Sequence, residues 1–242
     1  MTLLFRDDAY LQEAEATVIS SDTDGIRLDQ TLFYPNGGGQ PGDTGTLTWE
    51  GGQITITDAR KAVPLPEQGS DVQHVVAEGS ALPPPGTRVK LVLDWPRRHR
   101  HMRMHTALHL LCAVVPGAVT GGQVSADRSR LDFDVPSASL DKEQIEARLN
   151  ELIAADHPVR ERLISDADLE ERPELVRTMS VKPPTGGGSV RLLQIGPDDA
   201  LVDLQPCGGT HVARTGEIGP ISIVKIENKG KQNRRVILAF KE

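Results

Sequence analysis

Four residues of this chain have the types and spacing needed to hold a transition-metal ion: His105, His109, Cys207 and His211. In His105-Thr106-Ala107-Leu108-His109 the two histidines are four positions apart. An α-helix turns about 100° per residue, so both imidazoles project from one face and can converge on one ion. Cys207-Gly208-Gly209-Thr210-His211 separates a thiol from an imidazole by a glycine-rich knuckle that can fold both about one point. A thiolate with three imidazoles is a tetrahedral zinc set, softer than magnesium or calcium prefer. Neither pair is sufficient alone. Position 106 is Thr, not Glu, so the zinc-protease pattern and its carboxylate base are missing. Two plainer readings remain open: Cys207 as a turn residue with His211 capping a strand, or a real zinc whose closed shell only supports the fold. Cys112, three residues after His109, lies in the apolar run Leu110–Val115 and is assigned to packing.

Other passages could bind rather than react. Tyr34-Pro35-Asn36-Gly37-Gly38-Gly39-Gln40-Pro41-Gly42-Asp43 allows positive φ and close backbone approach to a ligand. It matches neither a P-loop nor a dinucleotide fingerprint, and by composition alone it is a turn. A second triplet, Gly186-Gly187-Gly188, suits a surface loop over the site. Two basic clusters stand out: Arg97, Arg98 and Arg100 with His99, His101 and Arg103, and Lys225, Lys229, Lys231, Arg234 and Arg235. Such clusters are either solvated faces or grips for phosphate. Thr106 and Thr210, inside the ligand motifs, are candidate pocket hydroxyls or structural groups.

The elements that must position these residues change character along the chain. Residues 1–94 read as short strands with Gly and Pro punctuation: Thr17–Ile19, Ile26–Leu28, Thr46–Trp49, Ile54–Ile56, Val72–Val76 and Val89–Leu93. That spacing predicts a small β-barrel-like domain. The boundary falls near Asp94-Trp95-Pro96. Beyond it Leu108, Leu111, Cys112 and Val115 recur at helical spacing up to Pro116-Gly117, and Ile145, Leu149, Leu152 and Ile153 mark a second helix. Strands follow at Val159–Ile164, Val190–Ile195, Leu201–Leu204, Ile221–Ile226 and Val236–Phe240. The expected class is α+β, with residues 95–242 forming a two-layer domain of helices on a mainly antiparallel sheet.

Composition narrows the function. Hydrophobic residues at 38% and charged residues at 25% suit a globular domain. Aromatics at 3% argue against broad stacking platforms, and a net charge of -7 argues against indiscriminate coating of nucleic acid, leaving room for local basic patches. No apolar run approaches the roughly 20 residues that span a membrane. Met1–Phe5 runs into Arg6-Asp7-Asp8 without the form of a signal peptide, so reduced thiols and a cytoplasmic location are expected.

Taken together, the motifs resemble the editing domain of alanyl-tRNA synthetases. The resemblance rests on H-T-A-L-H at 105–109, C-G-G-T-H followed by Val212–Gly219, the D-R-S-R-L-D-F stretch Asp127–Phe133, and the glycine-rich passage from Tyr34. It covers nearly the whole chain. Because 242 residues leave no room for aminoacylation parts, the chain is similar to the free-standing editing proteins, the AlaX family in the medium form that keeps a glycine-rich subdomain. That resemblance implies a deacylase that hydrolyses mischarged alanine-accepting tRNA, chiefly the seryl species and also the glycyl one. It implies one zinc ion on His105, His109, Cys207 and His211, and an amino-acid pocket near Gly37, Gly38, Gly39 and Gln40. It implies tRNA as partner, no membrane and no need for ATP. Asn36 departs from the Glu often found before the glycine triplet. The attacking water would be zinc-bound or zinc-adjacent; zinc could lower its pKa or position the ester, and the lack of an Asp or Glu base in the motifs favours positioning. A zinc hydrolase of a small ester and a non-catalytic tRNA-binding module with structural zinc are the competing classes. The threonyl-tRNA synthetase editing domain shares the histidines, yet C-G-G-T-H favours the alanine system.

Overall fold

The computed structural model describes residues 1–63, 72–135, 140–179 and 188–241; Gly186 and Gly187 of the second glycine triplet lie outside them. Two compact units divide the chain, Met1–His99 and Arg100–Glu242.

In the first unit β1 (Thr2–Leu3) leads into a single turn, α1 (Leu4–Asp7), followed by β2 (Glu13–Asp22), β3 (Gly25–Leu28), β4 (Gln30–Thr31), β5 (Gly45–Trp49), β6 (Gly52–Lys61), β7 (Val72–Val76) and β8 (Arg88–Leu93). Strand β1 pairs in parallel with β4. The other six close an antiparallel barrel in the order β2-β3-β7-β6-β5-β8. The period-2 pattern produces this directly: in β8, Val89, Leu91 and Leu93 are buried while Arg88 and Lys90 face water. Val18, Ile26, Leu28, Leu47, Ile56 and Leu91 fill the interior. His74 is buried among them. Its Nδ1 donates to the Ile26 carbonyl at 2.9 Å, and its Nε2 accepts from the Thr31 hydroxyl at 2.7 Å. Burial pushes its pKa down to about 4.

The long helix α2 (Trp95–Val114) starts where Asp94 accepts the Arg97 N–H and Pro96 occupies the first turn. The sequence places the change of pattern at residue 94, and the compact units divide five residues later, within this helix. The second unit continues with β9 (Ala118–Gln123), β10 (Arg128–Asp134), α3 (Lys142–Ala154), β11 (Val159–Ser165), α4 (Asp166–Glu170), β12 (Ser189–Ile195), β13 (Asp203–Pro206), β14 (Ile221–Asn228) and β15 (Asn233–Phe240). The class is α+β, with the strands of this unit split between two antiparallel sheets, β14-β15-β10-β9 and β11-β12-β13. Helix α3 begins where the Asp141 carboxylate accepts the N–H groups of Glu143 and Gln144. It buries Ile145, Leu149, Leu152 and Ile153 and packs against β14. Asn150 bonds both backbone groups of Ile221, and Glu146 accepts the Ile223 N–H, so the helix also satisfies the edge of that strand. Among the described residues, no helix is long and apolar enough to cross a membrane.

Candidate metal centre

Helix α2 is buried on nearly every side from Met102 to Cys112, which holds His105 and His109 one turn apart with little freedom. The knuckle that follows β13 brings Cys207 and His211 to the same place. One ligand atom from each of these four residues lies within 4.8 Å of all the others. Cys207 Sγ is 3.6 Å from His105 Nε2 and 3.2 Å from His211 Nε2. In a tetrahedral zinc site with usual bond lengths, neighbouring donors stand about 3.3–3.6 Å apart. The two Cys207 distances lie at or near that spacing, and the donor set fits zinc.

Electrostatics point the same way. Burial pushes the Cys207 thiol up, but the His105, His211 and His109 rings around it win and hold it well below its ordinary pKa. Burial opposes protonation of His109, yet the Cys207 thiolate and the Asp203 carboxylate raise it to about 10. Burial pushes His211 well below 6.5, against the pull of Cys207. A thiolate among three imidazoles is a donor set suited to a soft divalent cation.

The surroundings fix which ring nitrogens face the gap. Thr106 Oγ1 donates to the Met102 carbonyl at 2.9 Å, so its lone pairs accept from His211 Nδ1 at 3.2 Å and the Val212 N–H at 3.3 Å. His211 therefore carries its proton on Nδ1 and turns the Nε2 lone pair towards Cys207. On β13, Asp203 Oδ2 accepts from His109 Nδ1 at 3.0 Å and from Gln205 Nε2 at 2.8 Å. The knuckle is also held from outside: Arg191 Nη1 donates to the carbonyls of Cys207 and Gly209 at 2.6 and 3.0 Å, while Nη2 pairs with Glu161. Cys112 is buried, its thiol pushed up to about 12 chiefly by that burial, and it stands outside the ligand cluster.

Several site expectations change on this geometry. Thr106 and Thr210 are both buried, and the hydroxyl of Thr106 is consumed in orienting His211, so it is no pocket hydroxyl. The sequence puts Arg98 in a phosphate-gripping cluster, whereas the structure buries it fully in the first unit. There it pairs with Asp43 and donates to the carbonyls of Ala9 and Leu32. A guanidinium removed from water cannot neutralise phosphate. Its neighbour His101 is buried as well. Arg234 is likewise buried and donates to the carbonyls of Gly230 and Asn233, closing the last hairpin rather than facing RNA. Lys225 and Lys229 both pair with Glu227, Arg235 pairs with Asp132, and Lys231 is exposed. Arg97 donates to the Gly42 carbonyl, and Arg100 donates to the Ala126 carbonyl and lies over the Phe240 ring.

The glycine-rich passage is a tight hairpin turn. Gly37 and Gln40 exchange N–H···O bonds at 3.1 and 3.0 Å, with φ of 58° at Gly38 and 82° at Gly39. Two successive positive φ values define the turn type that glycine serves best. Gly38 and Gly39 are exposed and Gln40 is buried. Asp203, Gln205 and Arg191 were missed in the sequence. The one available sign was polar residues alternating in Asp203-Leu204-Gln205, directly before the ligand Cys207.

Residues 190–237 match the family model described as threonyl and alanyl tRNA synthetase second additional domain, and residues 5–97 match tRNA synthetases class II (A). The chain is 40% identical to the alanyl-tRNA editing protein AlaX-M of Methanosarcina mazei, over 96% of this chain and 94% of that one. It is 38% identical to the protein of the same name from Methanosarcina acetivorans, over 97% and 96%. It is 37% identical to the alanine–tRNA ligase of Pyrobaculum neutrophilum, over 93% of this chain but 25% of the ligase.

Proposed function

The chain belongs to the family of alanyl-tRNA editing proteins, and from that premise we propose that it is a zinc-dependent deacylase acting in trans on mischarged alanine-accepting tRNA. The substrate is the ester between a wrong amino acid, serine foremost and glycine second, and the terminal ribose. The single observation that carries this reading is the convergence of His105, His109, Cys207 and His211, whose ligand atoms all lie within 4.8 Å of one another.

Those four residues would hold the zinc, which when bound supplies a Lewis acid to orient and polarise the ester for attack by water. The chain's own part is positional. Thr106 and Asp203 fix the rings of His211 and His109 so that their Nε2 lone pairs face the gap. Arg191 keeps the Cys207 knuckle closed over it. Gly37, Gly38, Gly39 and Gln40 are proposed to contact the amino acid, and Arg97, Arg100, Lys225, Lys229, Lys231 and Arg235 the tRNA backbone. The reaction takes water and no ATP, and its place is the cytoplasm, where charged tRNA is made.

Selectivity explains why a separate hydrolytic site is useful. An apolar pocket rejects a substrate with one added hydroxyl by only about a hundredfold. A second site that hydrogen-bonds that hydroxyl can remove what the first let through. Deacylation of seryl-, glycyl- and alanyl-tRNA is the test: the seryl ester is expected to be lost fastest, and preferential loss of the alanyl ester would reject the assignment. Four protein donors also suit a structural zinc in a non-catalytic tRNA-binding module. That second reading predicts tRNA binding with the seryl ester left intact.

A further inference from the structure

Strand β13 places two polar side chains inward, Asp203 and Gln205, each only 5% exposed. A buried carboxylate is costly unless a positive charge compensates it. Among the described residues no lysine or arginine forms an ion pair with Asp203; its partners are His109 Nδ1 and Gln205 Nε2, both on Oδ2. Compensation therefore reaches Asp203 through the His109 ring, either as the ring's own proton or as a cation bound on its far side. On that far side, His109 Nε2 faces the gap shared with Cys207.

We infer that Asp203 is a positioning residue of the metal centre, which locks His109 as an Nε2 ligand and supplies half of the negative charge that a divalent ion requires. The inference rests on the reading of the four converging residues as metal ligands. With the ion in place, the Cys207 thiolate and the Asp203 carboxylate provide two negative charges against its two positive ones. The three imidazoles stay neutral. The proton on His109 Nδ1 remains between ring and carboxylate, and the carboxylate makes the ring a stronger donor. Gln205 braces the carboxylate from the side, which restricts its rotation away from the ring.

The two flanking groups differ in kind. His211 leans on the neutral hydroxyl of Thr106, whereas His109 leans on a carboxylate. His109 is thereby the more basic, more firmly held ligand.

The test compares zinc dissociation constants, by chelator competition on zinc-loaded protein, for wild type, Asp203→Asn and Gln205→Leu. Asp203→Asn preserves shape and removes the charge; zinc binding is expected to weaken about 10–100-fold, with a smaller loss in Gln205→Leu. The cobalt-substituted Asp203→Asn protein should show a shifted visible absorption band. If Asp203→Asn fails to fold, weakened zinc binding in Gln205→Leu supports the same role, and unchanged binding there overturns it. A lowered melting temperature with unchanged zinc affinity in Asp203→Asn would make Asp203 a structural partner of His109 and overturn the inference. Absence of zinc binding in wild type would instead overturn the ligand reading itself, and the role of Asp203 with it.

Discussion

The Sγ atom of Cys207 lies 3.6 Å from Nε2 of His105, although 102 positions separate them in the chain. That contact joins the middle of helix α2 to the knuckle after β13, and it makes the ligand set sensitive to single substitutions at either end. Cys207→Ser and His105→Ala are each expected to lose the zinc and to slow seryl-tRNA deacylation by at least about two orders of magnitude, since even outer partners of a ligand are worth 10–100-fold. Metal analysis of the purified variants alongside the rate measurement checks both halves. Full zinc content in either variant would count against these ligands.

Arg98 and Asp43 form an ion pair that is almost wholly buried. Arg98→Ala would leave the Asp43 carboxylate uncompensated inside the first unit, so the variant should be about 3–5 kcal/mol less stable. Urea unfolding measures this. A variant of normal stability but weakened tRNA affinity would return Arg98 to the phosphate-binding role that its burial denies it.

The exposed cations of the last hairpin give a different expectation. Each cation that contacts phosphate contributes about one unit to the slope of log affinity against log salt. Lys231→Ala should lower that slope by about one without changing stability. An unchanged salt dependence would remove the hairpin from the tRNA interface.

His74 makes barrel stability depend on pH. Its folded-state pKa of about 4 lies below the ordinary 6.5, because burial disfavours the charged ring. Between those values the unfolded chain takes up a proton that the folded chain refuses. The contribution is therefore fully present above pH 6.5 and is lost as pH falls towards 4. At about 1.4 kcal/mol for each tenfold change in proton affinity, it amounts to about 3–4 kcal/mol. Unfolding curves across that window should show the loss in wild type and a flatter profile in His74→Gln. Equal slopes would place the pH dependence elsewhere.

Much of the scaffold was readable because its signals are local. Alternation in Val89–Leu93 reflects one buried face of one strand, and the apolar spacing of Leu108, Leu111 and Val115 marks a helix that the structure buries on nearly every side. The four converging ligands were readable for the same reason, as two short motifs whose chemistry only makes sense together. What escaped was set by partners far along the chain. Nothing local distinguishes Arg98 from Arg97, yet one meets a buried carboxylate 55 positions away and the other lies near the surface. Strand β9 has few apolar residues and exists because β10 pairs with it, across a bulge between Asp132 and Phe133. Splitting the strands into two sheets is likewise a property of pairing. Thr106 could be read as a pocket group only while the direction of its hydroxyl was unspecified.

The account depends most on metal-dependent hydrolysis of the seryl ester. Seryl-tRNA of the alanine-accepting type should be deacylated by the zinc-loaded protein, lose that activity on stripping with chelator, and regain it when stoichiometric zinc is returned. Undiminished hydrolysis by protein proven free of metal, or no hydrolysis by protein proven to hold one zinc per chain, would contradict it.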